Sequence, residues 1–203
     1  MNKKFLIYLF IAFLLGAVWF ISMRIVAYSD ESIHYHANVN IYVNGQKDPL
    51  DAFTQYEEVQ ACSGNDTSNP KGRAHLHKPN NDVVHVHDNA VTWSAFFANI
   101  GYGITNQALT TTAGTFVTNT DGKQLTFILN GKKVDTITNR IIGDKDALLV
   151  NYGNEDESTL SQRYNDIRKN AEEVDKQFDP ATCSGTKQLS FWDKVQRAVN
   201  PAR

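Results

Sequence analysis

The chain has 203 residues, 41% of them hydrophobic, with 20 basic against 22 acidic residues and a formal net charge of −2. Its first 27 or so residues differ from the rest, and the remaining roughly 175 fit one domain able to bury its own core. No basic patch stands out, so a nucleic-acid partner is not expected.

Lys3 and Lys4 precede an apolar stretch from Phe5 to about Met23. A helix of that length nearly spans a bilayer. The preceding lysines place the N-terminus in the cytoplasm, with everything after Tyr28 outside. A secretory signal would have a shorter apolar core and a small-x-small cleavage site. Ile25 and Val26 do not fit such a site, so residues 1–28 read as a stub and an uncleaved signal anchor. Trp19 and Tyr28 suit the outer interface. Setting aside Lys3, Lys4 and Arg24 from the 20 basic residues leaves 17 against 22 acidic ones, a net charge near −5 outside.

Ile33 to Val43 alternates strictly, with Ile33, Tyr35, Ala37, Val39, Ile41 and Val43 on one face. His34, His36, Asn38, Asn40 and Tyr42 take the other, the pattern of a half-buried strand. Asn44-Gly45 marks a turn. Residues 46–60 are ambiguous, with a short helical or irregular piece around Phe53 and Tyr56. Residues 61–73 have loop composition. Asn65-Asp66-Thr67 has the form of a glycosylation sequon.

His75 to His87 reads as a β-hairpin with its turn around Pro79 to Asp82. Opposed residues in a hairpin have a constant index sum. Pairing His75 with His87 and His77 with His85 gives 162 and puts all four rings on one face, with Leu76, Val84 and Val86 on the other. A two-residue loop at Asn80-Asn81 would shift the sum to 161 and mix imidazole with core. Burial favours the first register.

Val91 to Ile100 reads as a short helix capped by Thr92 and ended by Gly101, with Phe96, Phe97 and Ile100 facing the sheet. Residues 102–120 are rich in Thr, Asn and Gly, with a short strand at Thr115–Thr118. Leu125–Leu129, Asn130-Gly131 and Lys132–Thr136 form a second hairpin with Phe127 opposite Val134. Ala147 to Tyr152 is a further strand.

Glu157 to Phe178 reads as one helix with an apolar stripe of Leu160, Tyr164, Ile167, Ala171, Val174 and Phe178. The stripe reads as packing; a coiled-coil homo-oligomer is the alternative use. Ser190 to Asn200 reads as a small amphipathic helix, docked on the domain or against the membrane surface. The expected architecture is α+β: a transmembrane helix, a mainly antiparallel domain over residues 29–156, and a packed helical extension over 157–203.

All six histidines fall into His-x-His pairs: His34/His36, His75/His77 and His85/His87. Residues i and i+2 of a strand share a face, so each pair is a two-nitrogen claw. Imidazole is the commonest metal ligand. The methionines are only Met1 and Met23, so soft ligands are scarce and copper(II), zinc or nickel on imidazole is favoured. Asp82 and Asp88 could orient imidazoles, though turn and strand-end roles suit them better. Cys62 and Cys183 read as a disulfide outside the cytoplasm. Closing a loop of about 120 residues would stabilise by roughly 4–5 kcal/mol. Thiolate metal ligation is the alternative if the pair is reduced.

Recognised catalytic frameworks do not fit. His85-Val86-His87-Asp88 places the acid one position early for a metallo-β-lactamase pattern, and no histidine follows His87 as copper/zinc superoxide dismutase requires. No nucleophile triad, P-loop or dinucleotide fingerprint appears. The segment 33–153 resembles an uncharacterised group of exported or membrane-anchored bacterial and archaeal proteins. The likeness lies in His34-Tyr35-His36, His75 to His87, Thr92 to Gly101, Asn130-Gly131-Lys132 and Asp146 to Gly153. It implies the fold unit and the histidine cluster, not a reaction. The favoured expectation is therefore a membrane-anchored metal-binding protein for copper or zinc. A metalloenzyme at the same cluster and a structural or adhesion module with incidental histidines are the alternatives.

Overall fold

The computed structural model describes residues 2–27, 33–51, 70–78 and 80–176. Cys62, Cys183, the 52–60 piece, Tyr28 and the 190–200 segment lie outside the described residues, as does Phe178. The chain divides into two units, one containing the N-terminal helix and one beginning at Ile33.

Helix α1 (Lys3–Ala27) is 25 residues long, which is about 37 Å at 1.5 Å per residue. Its large side chains from Phe5 to Phe20 are exposed. It is long and apolar enough to cross a membrane, and a signal sequence would meet the same description.

The second unit is α+β. In chain order it contains β1 (Tyr35–Val43), β2 (Gln46–Lys47), α2 (Pro70–Arg73), β3 (Ala74–His77), β4 (Asn80–Val86) and α3 (Trp93–Asn99). There follow β5 (Gly103–Ile104), β6 (Ala108–Thr111), β7 (Gly114–Val117), β8 (Gln124–Leu129), β9 (Lys132–Val134), β10 (Ala147–Gly153), α4 (Glu157–Asn165) and α5 (Ala171–Asp175). The main sheet runs β3-β4-β1-β10-β8-β9, with β2 paired to β1. β1 and β10 pair in parallel; the other pairs are antiparallel.

Local signals act as their chemistry predicts. Asn44 and Gly45 adopt φ of 50° and 84°, the left-handed pair of a tight hairpin turn, and Val43 then pairs with Gln46. Phe127 lies opposite Val134 across the Asn130-Gly131 turn. Thr92 caps α3 by accepting from Ala95 N, and Gly101 takes φ of 78° just past its end.

One sheet face carries the main core. Ala37, Val39, Ile41, Leu76, Val84, Val86, Leu148 and Val150 pack there with Trp93, Phe96, Phe97 and Ile100 of the α3 segment. Residues 102–120 hold more order than one short strand: β5, β6 and β7 form a second, three-stranded sheet. Ile104 and Leu109 from it enter the same core.

The opposite face is covered too, which corrects the expectation of a half-buried β1. Asn38 and Asn40 are 1% and 0% exposed. Ile128, Ala147 and Leu149 of the sheet pack with Leu160 and Ile167, and α5 lies against β1. The result is three layers: α3, sheet, and the α4–α5 segment.

The single helix expected over 157–178 is broken between Asn165 and Ala171. Lys169 sits at φ of 51°, a conformation no α-helix continues through. The sheet stabilises the break. Asn38 Oδ1 accepts from Ala171 N at 3.1 Å, and Asn38 Nδ2 donates to Asn170 Oδ1 at 2.8 Å. A buried strand residue thus caps the start of α5, satisfying an amide a helix cannot satisfy itself. The stripe still packs: Leu160, Ile167, Ala171 and Val174 are all buried.

Candidate metal centre

The hairpin register differs from the expected sum of 162. Ala74, His75 and Leu76 pair with Val86, His85 and Val84, a sum of 160, and the ladder then shifts so that His77 faces Asn80. The pairing continues one step further, since His87 N donates to Arg73 O at 2.9 Å. Both sums are even, so the faces are unchanged. What moves is the partner: His75 stands opposite His85, not His87. The irregularity between Leu76 and His77 absorbs the difference, as a β-bulge does.

The neighbouring pair completes a row. His36 of β1 lies opposite His85 of β4. His36, His85 and His75 therefore stand side by side across three adjacent strands. All three are buried, at 1%, 5% and 2% exposure. His34, His77 and His87 are partly exposed around them.

The six rings form one continuous cluster. His85 is central, with ring centroids 4.3 Å from His36, 4.6 Å from His77, 5.9 Å from His75 and 6.1 Å from His34. His87 stacks on His34 at 4.6 Å and on His75 at 5.1 Å. His34, His85 and His87 each offer a ring nitrogen within 4.8 Å of the others, a group that could hold a metal ion. Bonds of about 2.0–2.1 Å put the ligand nitrogens of one ion about 3–4 Å apart, so small ring movements close the trio on an ion. His87 Nε2 is buried with no hydrogen-bond partner, an arrangement that costs free energy unless something else satisfies the lone pair or proton.

The outer hydrogen bonds fix two tautomers. His36 Nδ1 is 2.5 Å from Asp175 Oδ1. His75 Nδ1 is 2.7 Å from Lys71 O. A carboxylate or carbonyl oxygen accepts, so both Nδ1 atoms donate. In the neutral tautomer that this leaves, Nε2 is the atom with the lone pair, and it points inward. His36 Nε2 meets His85 Nδ1 at 3.0 Å, and His75 Nε2 meets His77 Nε2 at 3.0 Å. A metal-bound imidazole characteristically donates its other N–H to a carboxylate or carbonyl in this way.

Electrostatics keep His85 and His87 uncharged. Burial, reinforced by the neighbouring imidazoles, pushes the His85 pKa far below the usual imidazole range. The same two causes bring His87 down to about 2. Both rings are neutral at ordinary pH, the form that binds metal.

Asp82 and Asp88 do not orient imidazoles. Asp82 pairs with Arg168, and Asp88 with Arg73 at 2.7 Å. The carboxylate that does so is Asp175, which sequence reasoning missed. No nearby motif marks it, because it reaches His36 only after the chain breaks and turns at 166–170.

A comparison with protein families, with curated proteins and with solved structures finds no match to this chain.

Proposed function

We propose that the chain is a membrane-anchored, extracytoplasmic protein that binds a divalent transition metal, copper or zinc, and holds or delivers it rather than catalysing a reaction. The observation that carries this reading is the His34, His85 and His87 group, whose ring nitrogens lie within 4.8 Å of one another. The neutral state of His85 and His87 and the buried, unpartnered Nε2 of His87 support it. An imidazole-only donor set suits copper(II) or zinc. The anchor rests on α1 and on Lys3 and Lys4 at its N-terminal end, ahead of the apolar stretch. The resemblance of residues 33–153 to exported or anchored proteins is part of the same reading.

Holding rather than catalysis follows from the acids. Metal-assisted catalysis usually calls for a positioned acid or base as well as an open coordination position. Asp82, Asp88 and Asp175, the carboxylates flanking or touching the histidine strands, are engaged by Arg168, Arg73 and His36.

Full-length protein purified in detergent tests the reading by elemental analysis, beside His34→Ala/His87→Ala. The wild type is expected to retain copper or zinc, and the variant to lose the ion held by these rings. A wild type that binds neither ion overturns it.

A further inference from the structure

We propose that the cluster holds a second divalent ion, gripped by the Nε2 atoms of His75 and His77, beside the ion at His34, His85 and His87. This rests on the metal-binding reading above and extends it from one ion to two.

The six rings do not converge on one point. A single ion takes three or four imidazoles, so at least two rings are left over. Among the described residues, the one group of three or more histidines whose nitrogens all lie within 4.8 Å of one another contains neither His75 nor His77. Those two rings instead face each other, with Nε2 atoms 3.0 Å apart.

In that hydrogen bond His77 Nε2 carries the proton; once it moves to His77 Nδ1, the two Nε2 lone pairs form a chelate bite. Bonds of about 2.0–2.1 Å ending on atoms 3.0 Å apart meet at about 90–100°. This is the angle between neighbouring ligands in square-planar or octahedral coordination, as copper(II) or nickel(II) prefer.

His75 is prepared as a ligand. Its Nδ1–H is held by Lys71 O at 2.7 Å, so its ring is oriented and its Nε2 lone pair faces His77. His75 is buried at 2%, while His77 is partly exposed. The claw therefore opens to solvent on the His77 side. His85, a member of the first group, lies 4.6 Å from the His77 ring by centroids. The two groups of rings thus adjoin, so ions bound at both would be close enough to interact magnetically.

The probe is copper(II), added to full-length protein in detergent, with copper counted per chain after dialysis and examined by electron paramagnetic resonance. Wild type is expected to hold about two coppers per chain and to show dipolar coupling with a half-field line. His75→Ala/His77→Ala is expected to hold about one, uncoupled. His77→Gln changes only the partly exposed ring and serves as the milder variant if the double one does not fold. It is expected to weaken the second copper at least tenfold. One copper in wild type overturns the second ion and leaves the first standing. No copper or zinc overturns both. Two uncoupled coppers in wild type, or two retained by the double variant, also overturn the second ion.

Discussion

His36 donates its Nδ1–H to Asp175 Oδ1 at 2.5 Å, joining positions 139 residues apart in sequence. The bond ties a strand at the centre of the sheet to the last described helix. It also fixes which His36 nitrogen faces His85. The carboxylate orients the ring it holds, and loss of a ligand's outer partner typically costs about 10- to 100-fold in metal affinity. Asp175 acts on the ion through His36, whose Nε2 meets His85 Nδ1, so Asp175→Ala should weaken zinc binding toward the lower end of that range, about 10-fold. Asp175→Asn, which keeps an acceptor oxygen, should lose less. Competition titration against a chromophoric chelator reads both, and equal affinity in wild type and Asp175→Ala would remove Asp175 from the centre.

Metal-free protein should lose stability as pH falls. The His85 and His87 pKa values are depressed in the folded chain, His87 to about 2. In the unfolded chain each returns to about 6.5. Between those values the unfolded state binds more protons, so stability rises with pH. Going down from pH 7, the loss begins near 6.5 and amounts to up to about 1.4 kcal/mol per pH unit for each ring. Bound metal should defer the loss, because protons must then compete with the ion. Thermal melts of the metal-free protein between pH 7 and 4.5 check this, and a flat profile would contradict it.

Asn38→Ala removes the cap of α5 and leaves Ala171 N and Asn170 Oδ1 without their strand partner. Orphaning buried polar groups costs about 1–3 kcal/mol. The variant should melt earlier. Amide exchange should quicken at 171–175 well before the core strands respond. Unchanged protection there would show that packing alone holds α5.

Gly153→Ala tests the other end of the covered face. A Cβ on Gly153 would collide with Glu155 Oε2. That carboxylate accepts from Asn151 Nδ2 at 2.9 Å and pairs with Arg163 at 2.9 Å. Displacing it should cost about 1–3 kcal/mol. Denaturant unfolding measures the loss, and a neutral result would mean that Glu155 finds an equivalent position.

Patterns with a local cause were readable in the sequence. Alternation named the core face of β1, Thr92 marked the start of α3, and Asn130-Gly131 set Phe127 opposite Val134. Parity placed the hairpin's histidines opposite the face of Leu76, Val84 and Val86. The offset was not readable, because a shift of two residues preserves every face and alternation cannot see it. The parallel β1–β10 pairing and the approach of Asp175 to His36 join distant segments. The 157–178 stripe was periodic enough for one helix. The break was decided from outside it, by a cap that Asn38 supplies from the sheet.

The row His36, His85 and His75 crosses three strands that adjoin only when the sheet is assembled. If the cluster binds metal as proposed, the bound ion certifies the fold. A chain with β3 slipped by one residue would turn His75 and His77 toward the α3 side and forfeit their part of the cluster. Retained metal then separates correctly assembled molecules from compact misfolded ones that circular dichroism alone would pass.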